Sequence, residues 1–280
     1  MTSPPAPPAM PGPSLPADGT TFGTLLDVNL IGLWTLYKKE VWRFWKVMTQ
    51  TILAPVVSTL VFLAIFALAM HRVDTRVGDL PFLEFLAPGL IMMAVVQNAF
   101  ANTSSSLMIA KIQGNIVDYL MPPLGPGELL LGITLAGITR GIAVGIAVYA
   151  CMLPFVRLAP LHPLLILYFV LMASLMLSLL GFLGGLWAEK FDQLAAVTNF
   201  GITPLSFLSG TFYSVQALPE AVRWLAHGNP FFYMIDGARY GFTGHADGSL
   251  GTGMVILAAV NVALWVWAYR LMRRGYRLKA

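Results

Sequence analysis

The chain has 280 residues, 57% of them hydrophobic and 11% charged, against about a quarter charged in an ordinary soluble domain. That composition, with the charges segregated from long apolar runs, excludes a soluble globular fold. The formal charge of +4 does not indicate nucleic acid, because the basic residues flank apolar segments, where they set orientation in a membrane.

Residues 1–21 hold a run of prolines from Pro4 to Pro16 and are expected to be a disordered tail. They lack the basic start and apolar centre of a secretory signal. From 22 to 46, Leu26, Leu30, Leu33, Trp34, Tyr37, Val41, Phe44 and Trp45 recur at helical spacing, with Lys38, Lys39, Glu40, Arg43 and Lys46 gathered late. The pattern predicts an amphipathic interface helix lying in the headgroup layer. It serves either as a plain anchor or as a contact surface for a cytoplasmic partner.

Six apolar runs follow, at 47–70, 85–107, 129–156, 163–187, 194–212 and 250–270, and the only charge inside them away from an end is Arg140. Each is close to or above the roughly 20 residues a helix needs to cross the hydrocarbon core. The expected fold class is therefore an all-α integral membrane protein with six transmembrane helices. Pro55 in the first and Pro204 in the fifth are tolerable kinks. Lys38, Lys39, Arg43, Lys46, Lys111, Lys190 and the basic tail 271–280 fall on one side, which places both termini in the cytoplasm. Cys151 is the only cysteine, so it has no intrachain disulfide partner.

Between the second and third runs, Ala110 to Glu128 is too polar to cross and ends in the breakers Pro122, Pro123, Gly125 and Pro126. Ile109, Ile112, Ile116 and Leu120 line one side of a short helix there. The segment is longer than a simple turn requires, which predicts a protruding element that docks on something. The external segment from Thr211 to Gly248 mixes Trp224, Phe231, Phe232 and Tyr233 with Gly228, Asn229 and Pro230. Two short helices dipping into the outer leaflet fit it; a plain loop with an aromatic belt is the alternative.

Arg140 is costly inside a bilayer and should face protein or a watery path. Gln97, Asn98 and Asn102 are its candidate partners, and its role is either structural hydrogen bonding or contact with a polar or anionic substrate. In the fifth run Asn199, Thr203, Ser206 and Gly210 share a helix face, as do Asn98, Asn102 and Ser105 or Ser106 in the second. Such faces bond helix to helix or line a transport route. No lysine is followed by serine or threonine, so a phosphate loop of the G-x-x-x-x-G-K-[ST] kind is absent. His71, His162, His227 and His245 have no metal-ligand spacing, and clustered intramembrane carboxylates of proton-coupled carriers are missing.

Three stretches carry a resemblance: GNIVDYLMPPLGPGELLLG from Gly114, TPLSFLSGTFYSVQALP from Thr203, and NPFFYMIDGARYG from Asn229. Together with the six runs they resemble the ABC-2-type permeases, the membrane subunits of ATP-driven exporters, and within them the branch for drug, polysaccharide and nodulation-factor export. The resemblance spans residues 22–275. It implies a bacterial inner-membrane permease that moves an amphipathic drug, lipid or glycan outward, itself not an enzyme. It implies two copies of a separate ATPase subunit, which would bind ATP and Mg, a second permease copy, most simply a homodimer, and contact with membrane lipid. Lys111, Gly114, Asn115, Asp118, Tyr119 and Leu120 would form the coupling helix, with Lys39 and Arg43 beside it. Helices one, two and five would line the route, which makes Asn98, Asn102, Arg140, Asn199, Thr203 and Ser206 its candidate residues. Pro219, Asn229, Pro230, Tyr233, Asp236 and Arg239 would mark a re-entrant external helix pair before the last crossing. The rivals are a membrane scaffold or enzyme acting on lipid-linked substrates, which lacks a visible catalytic constellation, and an ion-gradient carrier.

Overall fold

The computed structural model describes residues 29–70, 76–77 and 80–276. The Pro-rich stretch 1–21, the predicted interface helix up to residue 28, and Arg72, His71, Arg277 and Lys279 lie outside the described residues. The described chain forms α1 (Leu30–Trp45), α2 (Met48–Met70), a two-residue antiparallel pair β1 (Arg76–Val77) and β2 (Leu80–Pro81), α3 (Phe82–Ile112), α4 (Val117–Leu120), α5 (Pro126–Met152) and α6 (Pro163–Trp187). It continues with α7 (Phe191–Val197), α8 (Thr203–Phe207), α9 (Glu220–His227), α10 (Pro230–Thr243) and α11 (Leu250–Arg273).

Five of these, α2, α3, α5, α6 and α11, are long and apolar enough to cross a membrane. Their bounds follow the charge-free runs closely, and Pro55 sits inside an unbroken α2. The fifth run differs from its expectation as one helix over 194–212. It is α7, then a π-helical stretch Thr198–Ile202, then α8, after which the chain turns at Leu208 to Gly210. Pro204 has no N–H to offer the Phe200 carbonyl, and its ring crowds that turn. Widening the preceding turn relieves the crowding, and the Thr203 N–H reaches the Thr198 carbonyl instead.

The middle of the bundle is α3, packed between α5 and α6. Small residues let the three backbones approach. Gly137 and Gly141 of α5 face Ser178 and Ser174 of α6, and Gly181 of α6 faces Thr103 and the Phe100 carbonyl of α3. A Cβ on Gly181 would stand 2.5 Å from that carbonyl oxygen, and backbone cannot swing aside as a side chain can. Gly181→Ala is therefore expected to separate α3 from α6 and to destabilise the fold by about 1–3 kcal/mol. A thermal melt in detergent that shows no loss would contradict this packing.

Two ends of the bundle are distinct. At one, Leu36 of α1, Ile116, Tyr119 of α4, Leu129 of α5, Leu186 of α6 and Met272 of α11 share one apolar cluster. At the other, α10 is buried against α3, α6 and α11 around Phe169, Phe232, Met234 and Leu257. The α7 to α8 segment runs from the first end, where Leu194 packs with Met108 and Ala188, to the second, where Leu205 and Ser209 meet Asn229. α2 is held least, leaving Leu53, Val57, Val61, Ile65 and Leu68 exposed along one face.

Candidate functional site

At the α1 end, Gly114 takes φ of 72°, a left-handed conformation that closes α3 and turns the chain into α4. α1 begins at Asn29, whose side chain accepts from the Gly32 N–H and whose own N–H donates to Glu128 Oε1 at 2.5 Å. That pins α1 to the start of α5. The Tyr119 hydroxyl of α4 then donates to Glu40 Oε1 at 2.7 Å, and Lys39 Nζ sits 4.2 Å from the centre of the Tyr119 ring. Burial, and next the Glu40 carboxylate, push the Tyr119 hydroxyl well above the ordinary phenol range, which keeps it a proton donor.

Glu40 is fully buried and ion-pairs with Arg43 at 3.1 Å. Arg43 in turn donates from Nη2 to the Asn102 carbonyl at 2.8 Å and to Asn102 Oδ1 at 3.2 Å, and from Nη1 to Ser105 Oγ at 3.3 Å. Tyr119, Glu40, Arg43 and Asn102 thus form one polar chain joining α4, α1 and α3. Lys111 bonds the carbonyls of Leu186 and Ala188 at the end of α6. Asn115 and Asp118 are exposed, and Leu120 closes α4.

Of the residues expected at this element, Lys39, Arg43 and Tyr119 meet around Glu40, Lys111 lies apart on the end of α6, and Glu40 was not singled out as a site residue from the sequence. Its signal is a lone acid set among Lys38, Lys39, Arg43 and Lys46. α1 is also not simply laid on a surface: its Leu36 packs against Gly132 and its Tyr37 hydroxyl meets Thr139 Oγ1 at 2.9 Å, so it climbs along α5.

Within the bundle, Arg140 Nη2 donates to Asn98 Oδ1 at 3.1 Å. Of the three partners anticipated for Arg140, Asn98 is the one bonded, and Asn102 serves Arg43. The face expected in the fifth run is split by the π-helical stretch. Asn199 is exposed, Thr203 is half-buried, and Ser206 is buried and donates to its own helix at the Ile202 carbonyl at 2.8 Å.

The motif at the other end is built as a lock. Pro219 precedes α9 and Asn229 caps α10, accepting from the Phe231 N–H while its amide donates to the Leu205 carbonyl and Ser209 Oγ. Pro230 occupies the first turn of α10, where its missing N–H costs nothing. Tyr233 packs over Gly253 of α11. Asp236 accepts from the N–H groups of Asp247 and Gly248 at 2.8 and 2.9 Å. Arg239 is wholly buried; it donates to the Phe85 carbonyl at 3.1 Å and the Gly210 carbonyl at 2.6 Å, and lies 3.8 Å over the Phe85 ring. Asp236 is 3.9 Å away on the same helix. Both hydrogen bonds run to backbone carbonyls of other segments, which makes this group a clamp between α10, α3 and the turn after α8.

Five helices long and apolar enough to span a membrane, with a polar chain joining α4 to α1 and α3 at one end and α10 clamped to α3 at the other, make this a multi-pass membrane protein. Residues 32–243 match the family described as ABC-2 type transporter, and the chain belongs to that family as an inner-membrane permease subunit. It is 36% identical over 259 residues to the inner membrane transport permease YadH of Escherichia coli K12, covering 91% of this chain and 100% of YadH. YadH of Shigella flexneri matches equally. Nodulation protein J of Rhizobium leguminosarum bv. viciae is 23% identical over 266 residues, 93% of this chain and 97% of that protein.

Proposed function

We propose that this permease moves an amphipathic substrate of the drug, lipid or glycan class outward from the cytoplasm or inner leaflet, powered by a separate ATPase subunit. The observation that carries the reading is the polar chain from Tyr119 through Glu40 and Arg43 to Asn102. It ties a four-residue projecting helix, α4, to a spanning helix, and such a rigid link is what a soluble motor needs to move a membrane domain. Lys111, Gly114, Asn115, Asp118, Tyr119 and Leu120 are the coupling element in this reading, with Lys39 and Arg43 behind it. Asn115 and Asp118, being exposed, face the ATPase.

The unit runs over 22–275 and crosses six times. Support comes from the placement of α1 and the end of α11 in one cluster, which fits an even number of crossings between them. The α7 to α8 segment supplies the sixth, with α9 and α10 as the re-entrant pair on the outer side. Two permease copies associate, and the exposed stripe of α2 and the broken fifth crossing meet across the axis. Asn98, Asn102, Arg140, Asn199, Thr203 and Ser206 line the route.

Affinity purification from native membranes in mild detergent tests this. A co-eluting soluble subunit with a Walker A motif and vanadate-sensitive ATP hydrolysis is the expected result. Purification of the chain alone, also after cross-linking in membranes, would refute it.

A further inference from the structure

Arg140 lies about 21 Å along α5 from Pro126, close to the middle of that 27-residue helix. A charge at this depth is normally paired or placed on a watery path. Among the described residues Arg140 forms no ion pair. Its one hydrogen bond goes to neutral Asn98, and its Nε is buried with no partner.

One turn along α3, Asn102 is fully buried. Both its oxygens accept from Arg43, and its Nδ2 has no partner. Two guanidiniums therefore stand on two asparagines one helical turn apart, and the carboxylate beside them, Glu40, ion-pairs with Arg43 alone. One positive charge and two buried N–H donors are left over. An aspartate at 98 would have neutralised Arg140; asparagine does not. Unmet donors and an uncompensated charge in low dielectric favour an anion strongly, and a guanidinium is the side chain best shaped for phosphate or carboxylate.

We propose that Arg140, with Asn98 and Asn102, binds the anionic headgroup of the transported amphiphile. The assignment rests on the transport reading above and narrows its substrate class from amphipathic to anionic amphiphile. When the ligand is bound, its phosphate or carboxylate accepts from the Arg140 fork and from the Asn102 amide, and when the ligand leaves, Arg140 falls back on Asn98 alone.

The test uses the purified complex of permease and ATPase in neutral maltoside detergent, without nucleotide. Dodecyl phosphate, dodecyl trimethylammonium and inorganic phosphate are titrated while binding is followed by thermophoresis. Dodecyl phosphate is expected to bind at least about tenfold more tightly than either of the other two, and Arg140→Gln to remove that preference. Asn98→Asp is the second variant: by supplying an internal counter-ion it is expected to raise the melting temperature and also abolish the preference. A purely structural Arg140 would keep or improve binding in Asn98→Asp. Equal binding of all three probes to the wild type overturns the proposal, as does an unchanged preference in both variants. Inorganic phosphate binding as tightly as dodecyl phosphate overturns the amphiphile assignment. Because binding is read without ATP, such a failure with the ATPase still co-eluting sinks this inference and leaves the transport reading standing.

Discussion

Arg239→Leu is expected to unfold the α10 end of the bundle and lower the amount of folded protein that detergent extracts from the membrane. The guanidinium holds three separate pieces of chain: the Phe85 carbonyl and ring at the start of α3, the Gly210 carbonyl after α8, and Asp236 on its own helix. Leucine fills the volume but leaves two buried carbonyls without this donor and takes the nearby positive charge from Asp236. Removing one member of such a network costs about 3–5 kcal/mol, a large share of the 5–15 kcal/mol or so that holds a typical domain together. Lysine restores the charge but offers a point donor in place of a planar fork and stacks poorly on Phe85, so Arg239→Lys should fall between leucine and wild type. Detergent-solubilised yield and a size-exclusion thermal melt read the effect. A leucine variant that melts with the wild type would show that the clamp is dispensable and that α10 is held by its apolar contacts alone.

Burial of Arg239 also explains why this end of the molecule was only half legible from sequence. The spacing of Asn229, Pro230, Asp236 and Arg239 marked the segment, and Asn229 with Pro230 is a helix-start signal that can be read directly. What Arg239 touches could not be read, because Phe85 and Gly210 are far away in the chain and their backbone carbonyls leave no trace in composition. The spanning helices were legible for the opposite reason: lack of charge is a local property, and α6 matches its charge-free run at both ends. The fifth run was charge-free as well, yet Pro204 broke it in a way that hydropathy does not register. Glu40 shows the same limit at the other end. An acid in an amphipathic helix reads as solvated until the Tyr119 hydroxyl and Arg43 are seen to close over it.

Glu40→Gln is expected to leave the ATPase subunit bound and hydrolysing ATP while export falls by about ten- to a hundredfold, the scale set by loss of charge-assisted hydrogen bonds of about 1.5–3 kcal/mol. Glutamine keeps the shape of the side chain and can still accept from Tyr119, but it no longer ion-pairs with Arg43. The grip of α1 on Asn102 then loses its fixed anchor, so motion of α4 is no longer delivered to α3. Tyr119→Ala breaks the same chain one link earlier and should behave alike, with the added loss of the ring beneath Lys39. Asp118→Ala differs physically, because Asp118 is exposed beside the network and is not part of it. It should weaken the hold on the ATPase, so that export and co-elution decline together. The three variants therefore separate transmission from docking: co-elution is preserved with export lost for Glu40→Gln and Tyr119→Ala, and both are reduced for Asp118→Ala. Wild-type export per ATP hydrolysed in Glu40→Gln would show that force reaches α3 by another route, leaving the buried ion pair with a structural role only.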